Sequence, residues 1–224
     1  LGPQASAELE RLQREVASYP STAEGWMPRT TGVLIAILLG THLWVEVLGT
    51  GERFRDLVSY GALLIDPKTA PWPATSLFTV FTANYLHINA VHLGVNVVGL
   101  WLFGRQLETE WGWRRFLIVY LLTGPLALTT VLFSYTVISG PPIVFVGASG
   151  AVMGVLGATL AVHMARWRTT AHPMRKGSIG TIIAIVLLQV VFDMTHPQVS
   201  LGGHLAGAVW GLLLATVLDR IRSR

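Results

Sequence analysis

Long apolar runs separated by short polar segments dominate the chain. Six of them reach or approach the about 18 to 25 residues that a helix needs to cross a hydrocarbon core: residues 31–49, 78–103, 116–138, 146–165, 178–194 and 201–218. The pattern predicts an all-α polytopic membrane protein built as a bundle of six transmembrane helices. Ahead of the first run, residues 1–30 place Leu9, Leu12 and Val16 on one side of a short amphipathic helix, with a linker around Pro20 and Pro28 after it. Residues 50–77 form the longest loop, in which Phe54, Leu57, Tyr60, Leu63, Leu64 and Ile65 mix with a few charges before Pro67, Pro71 and Pro73. Such a segment is expected to lie at the membrane interface. The chain divides into an N-terminal segment over 1–30, a six-span domain over 31–219 and a short basic tail over 220–224.

Composition strengthens the membrane assignment, since 52% of the residues are hydrophobic and only 12% are charged, whereas soluble domains carry roughly 25% charged residues. There are no cysteines, which excludes disulfides, thiolate catalysis and zinc sites built on Cys. The first thirty residues are polar and hold Glu8, Glu10, Arg11, Arg14 and Glu15, so no cleavable signal peptide is expected there. Basic residues near span ends stay on the cytoplasmic side. With the N-terminus inside, thirteen of the 16 Lys and Arg face the cytoplasm: Arg11, Arg14, Arg29, Arg105, Arg114, Arg115, Arg166, Arg168, Arg175, Lys176, Arg220, Arg222 and Arg224. Only Arg53, Arg55 and Lys68 fall outside, all in the first loop. Both termini are therefore expected to be cytoplasmic, and the basic balance reports orientation rather than nucleic-acid binding.

Polar groups inside a membrane cost free energy unless they are paired, so an intramembrane His, Asn or Ser is a functional candidate by default. Span two carries His87, His92 and Asn96; span four opens on Gly147-Ala148-Ser149-Gly150; span six opens on Gly202-Gly203-His204. Under the topology above, all three sets occupy outer ends. Close approach has a mechanism as well, because small residues let helix backbones pack tightly in lipid. Span four has Gly150 and Gly154 with Gly147 and Gly157 nearby, and span six has Gly203, Gly207 and Gly211, so these two helices are expected to touch.

A serine hydroxyl becomes an effective nucleophile when an adjacent imidazole takes its proton. Ser149 is the candidate nucleophile and His204 the candidate general base and acid. The tetrahedral intermediate needs donors aimed at its oxyanion; His92 and Asn96, four residues apart and so on one helix face, qualify, together with the backbone N–H of Ser149. His87 either supports that oxyanion site or bonds the first loop. No carboxylate is well placed to orient His204. Asp193, at the outer end of span five, is the only candidate, and it is more readily a helix-end charge, so the sequence predicts a Ser-His dyad. Glu46 with His42 reads as a structural polar pair. His163 and His172 are expected to be solvated beside a cytoplasmic loop, with His196 in an outer one.

These residues resemble the rhomboid family of intramembrane serine proteases over nearly all of residues 31–218. Gly147-Ala148-Ser149-Gly150 is similar to the family's nucleophile box, and Gly203-His204 with Ala206-Gly207 to its histidine segment. Leu86-His87, then His92-Leu93 and Asn96, resemble its second-span motif, and Phe103-Gly104-Arg105, Leu107-Glu108 and Gly112 a structural motif after that span. Members often carry a Trp-Arg pair before span two, where this chain has Phe78-Thr79. The resemblance implies a serine endopeptidase of the plasma or inner membrane, with Gly147 supporting the site, no metal or nucleotide cofactor, and single-span membrane proteins as substrates. The leading alternative is an inactive rhomboid-like protein that binds membrane clients. A transporter would call for Pro-broken spans and acidic pathway residues, and a zinc protease for an HExxH run that this chain lacks.

Overall fold

Glu108 fastens the start of the first helix from across the molecule. Its carboxylate accepts from the Thr30 N–H at 3.0 Å, the Thr31 N–H at 2.8 Å and the Thr31 hydroxyl at 2.7 Å, which satisfies donors that a helix N-terminus leaves open. That helix is α1, Arg29–Leu48. The computed structural model describes residues 2, 6, 10, 13, 28–66, 75–137, 142–170, 173–195 and 200–222. The amphipathic helix expected within residues 1–30 lies almost wholly outside them.

The first loop folds into a short helix α2, Arg53–Ser59, and a strand β1, Leu63–Ile65. Thr50 donates to Asp56 Oδ1 from its backbone N–H at 3.0 Å and from its hydroxyl at 2.8 Å. These bonds, the backbone one foremost, hold the Asp56 carboxyl below its ordinary range, with the Gly51 N–H and the Arg53 charge adding to them. The stabilisation is complete above the ordinary carboxylate value and is lost as pH falls through the lower folded-state value. Acidification is therefore expected to loosen the first loop until its amide exchange matches that of an Asp56→Ala variant. Hydrogen exchange of residues 50–60 measured at descending pH checks this, and protection that never approaches the variant's would sink it.

The second apolar run, expected as one span over 78–103, is broken. Helix α3, Thr75–Thr82, and a 3-10 turn over Ala83–Tyr85 precede an 87° bend, after which α4, Ala90–Gly99, begins. Asn89 starts α4 by accepting from the His92 N–H at 2.8 Å, a side-chain cap. Carbonyls freed at the break are taken up by Arg53 of α2, which donates to Ile88 O at 2.6 Å from Nε and to His87 O at 2.8 Å from Nη2. Arg53 also pairs with Glu46, which lies 3.6 Å from His42. The first loop is thus anchored without the Trp-Arg pair. A π-helical turn, Leu100–Gly104, leads from α4 into α5, Arg105–Trp111.

Helix α6, Trp113–Val137, precedes strand β2, Ile143–Phe145, which pairs antiparallel with β1 in the register Leu63↔Phe145 and Ile65↔Ile143. This two-stranded ladder is absent from the all-α expectation. The last three helices are α7, Ser149–Thr170, α8, Pro173–Thr195, and α9, Leu201–Arg222. The fold is that of a mostly helical, multi-pass membrane protein. Among the described residues, four helical stretches are long and apolar enough to cross a bilayer: Arg29–Leu48, Trp113–Tyr135, Gly177–Thr195 and Leu201–Arg220; the bent pair around residue 87, taken as one span, makes five. Helix α7 is not among them; it packs against α6, α8 and α9, with Gly150 and Gly154 against α6 and Gly157 against α9.

Candidate active site

Strand β2 feeds straight into the turn that starts α7. Gly147 has φ +118°, a conformation open to glycine and strained for other residues. A Cβ there would lie 2.5 Å from His92 Cε1 and 2.8 Å from Nε2, so the His92 imidazole rests directly on the Gly147 backbone. The Gly147 N–H donates to Ala83 O at 2.9 Å, and the Ala148 N–H approaches His87 Nε2 at 3.4 Å. His87 is almost fully enclosed, and its ring meets that of His92 edge to face with centroids 5.2 Å apart. The buried Nδ1 atoms of both imidazoles have no hydrogen-bond partner among the described residues. Asn96, buried one turn below His92, donates to the His92 carbonyl at 2.8 Å, which uses one of its two N–H hydrogens.

Ser149 is the first residue of α7 and is half-buried. Buried hydroxyls deeper in the bundle, such as Thr123 and Thr159, donate to the carbonyl four residues behind them. Ser149 has no helical carbonyl one turn behind it, so that sink is closed to it. Its own N–H is one of the open donors of the helix start.

His204 stands in the first turn of α9, which Ser200 opens by accepting from the Gly203 N–H at 3.0 Å. Helices α7 and α9 meet backbone to backbone. A methyl on Gly207 would overlap the Gly150 carbonyl, one on Gly211 the Gly154 carbonyl, and one on Gly157 the Ala208 carbonyl. The first two contacts step by four residues on both helices, so the helices run parallel. Ser149 and His204 therefore share one end of the pair, each within a turn of the first contact.

Asp193 corrects the expectation that no carboxylate would be placed to orient His204. Its Oδ2 lies 2.7 Å from His204 Nδ1, and its side chain is completely buried. Gln189 donates to the other oxygen, Oδ1, at 2.7 Å. Sequence reasoning missed Gln189, although its i, i+4 spacing from Asp193 inside an apolar run was a usable signal. Asn84 also went unnoticed; it is buried at the 3-10 turn, donates to Val80 O at 2.6 Å, and has its Oδ1 against Gly124. His163, expected to be solvated, is buried, with Nε2 at 3.2 Å from Glu110 Oε1 and 3.0 Å from Gln106 Nε2. His172 and His196 lie outside the described residues.

Two sets of side chains thus converge. His87 and His92 flank the turn before Ser149, with Asn96 one helical turn below His92, and the Gln189–Asp193–His204 group arrives from α8 and α9. A model of the rhomboid domain matches residues 74–221. The chain is 29% identical over 192 residues to Rhomboid protease GluP of Bacillus subtilis (strain 168), covering 85% of this chain and 35% of that protein. It is 32% identical over 142 residues to RHOMBOID-like protein 1 of Arabidopsis thaliana, covering 63% and 34%. Rhomboid protease AarA of Providencia stuartii is 27% identical over 202 residues, covering 83% and 70%. The chain spans about a third of the length of the first two.

Proposed function

The chain belongs to the rhomboid family, and from that premise we propose that it is an intramembrane serine endopeptidase cutting single-span membrane proteins near the outer face of the bilayer. Ser149 is the nucleophile and His204 its base. The observation that carries this is the parallel glycine contact of α7 with α9, which brings the two residues to one end of one helix pair. Ser149 Oγ attacks the scissile carbonyl as His204 takes its proton. The resulting oxyanion is met by His92, by the N–H of Asn96 not given to its own helix, and by the Ser149 backbone N–H. Collapse breaks the C–N bond, with His204 returning the proton to the departing amine, and water repeats the cycle on the acyl-enzyme. A scissile bond inside a substrate helix must unwind first, since its backbone groups are otherwise bonded and shielded.

The domain is taken as residues 31–219, with α7 as a span in its own right, six crossings and both termini cytoplasmic. The distribution of Lys and Arg supports that orientation. The plasma or inner membrane is the expected location.

The test incubates the purified protein in detergent with a fluorophosphonate and a generic single-span substrate, beside Ser149→Ala and His204→Ala. Labelling and cleavage should occur in the parent and vanish in both variants. A folded parent showing neither would favour the client-binding alternative. His92→Ala is expected to lower kcat by about 10²- to 10³-fold, the usual effect of losing one oxyanion donor, with little change in KM. A KM effect alone in steady-state cleavage would take His92 out of that role.

A further inference from the structure

We propose that Asp193 and Gln189 are positioning residues for the reaction, so that the Ser149–His204 dyad proposed above has its imidazole held by two further side chains. The inference rests on the assignment of His204 as the base and adds how that base is set.

An imidazole can take a proton from serine only if the nitrogen facing the hydroxyl is unprotonated and the ring is turned toward it. In the neutral ring one nitrogen carries the hydrogen and the other the lone pair. Asp193 Oδ2 lies 2.7 Å from Nδ1, and because a carboxylate only accepts, the ring hydrogen belongs on Nδ1, which leaves the Nε2 lone pair for the Ser149 proton. The same carboxylate stabilises the imidazolium formed after transfer without itself becoming protonated.

The environment of Asp193 supports this over a packing role. A fully buried carboxylate is costly unless its oxygens are bonded. Each has one partner: His204 Nδ1 on Oδ2 and Gln189 Nε2 on Oδ1. Gln189 also lies 3.4 Å from His204 Nδ1, so it braces the acceptor from the helical turn before it. Among the described residues, no Lys or Arg pairs with Asp193, whose ionic partner is His204. Helix α8 is otherwise the least enclosed of the apolar spans, with 11% of its apolar window buried against 28% for α1 and α9. Asp193 is thus deeply buried on a helix that is otherwise little enclosed, and what it meets there is His204.

Asp193→Asn retains size and an acceptor while removing the charge. Expected are a kcat lower by about 10²-fold or more, a KM within about twofold of the parent, and a correspondingly slower fluorophosphonate labelling of Ser149, since losing the orienting carboxylate acts on the transition state rather than on binding. Gln189→Ala should produce the same split at smaller amplitude. A folded Asp193→Asn with the parent's kcat and labelling rate would overturn the proposal, as would a loss confined to KM. Should Asp193→Asn fail to fold, nitrogen-15 NMR of histidine-labelled parent protein decides. A strongly downfield Nδ1–H resonance that disappears in His204→Ala is expected, and a ring protonated on Nε2 would overturn the proposal. Because the NMR arm needs no turnover, it separates failure of this pairing from failure of the protease assignment, which would show as an unlabelled parent.

Discussion

Ser149→Ala and His204→Ala are each expected to reduce kcat by about 10⁴- to 10⁶-fold, and the double variant to fall no further than the worse of the two. The physical ground is that, in the proposed mechanism, the two groups act as one device. Without the hydroxyl there is nothing for the imidazole to deprotonate, and without the imidazole the hydroxyl is a weak nucleophile at neutral pH. Residual cleavage above background would come from the oxyanion donors and from substrate positioning, which neither substitution removes. Both side chains stand in the first turn of their helices, where truncation to Ala leaves the glycine contacts of α7 and α9 untouched. Thermal midpoints near the parent's are therefore expected. The measurement is single-turnover cleavage of one substrate by all four proteins in the same detergent. Losses that multiply in the double variant would mean that Ser149 and His204 act independently, and the shared proton transfer would have to be abandoned.

Gly211→Val and Gly207→Val are expected to destabilise the protein by about 3 kcal/mol or more and to abolish the proposed activity with Ser149, His204, His92 and Asn96 all still present. Overpacking a tight core typically costs about 1 to 3 kcal/mol when neighbouring side chains can shift. Here even the first carbon of the new side chain would overlap the carbonyls of Gly154 and Gly150, and backbone can yield only by separating α7 from α9. That separation would carry His204 away from Ser149. Gly40→Ala and Gly180→Ala are the matched controls, because a Cβ at either position meets nothing within 4 Å; they should leave stability unchanged or raise it slightly, as Ala is the better helix former. Thermal unfolding in detergent, read beside fluorophosphonate labelling, distinguishes the two groups. Valine tolerated at 211 would mean that the helices are not in backbone contact there.

Much of this architecture was legible in the chain. Span positions arise from local hydropathy, and the helices found over Arg29–Leu48, Trp113–Val137, Pro173–Thr195 and Leu201–Arg222 contain or nearly contain the runs that announced them. The glycine spacings of α7 and α9 likewise announced their contact, since small residues four apart on a helix make one smooth face. Helix α7 was marked by its polar opening more than by its hydropathy, and a helix enclosed by others can do without an apolar exterior. Ser149, His204, His92 and Asn96 stood out because each is a polar group inside an apolar run, a property of the sequence alone.

Partners distant in the chain decided the rest. The break between Tyr85 and Ala90 interrupts a continuous apolar run; Asn89 caps the helix beyond it, but the carbonyls released there are satisfied by Arg53, which no local pattern connects to them. The three-residue strands are too short for their own alternation to reveal them, and each exists because the other supplies its hydrogen bonds. His163 looked solvated from its place near a basic loop and is buried because Glu110 and Gln106 meet it from α5. Asp193 shows the division most sharply. Its position near the outer end of an apolar helix is written in the chain. That it faces His204 is a matter of how α8 packs on α9, because hydropathy records how polar a position is and not the direction in which its side chain points.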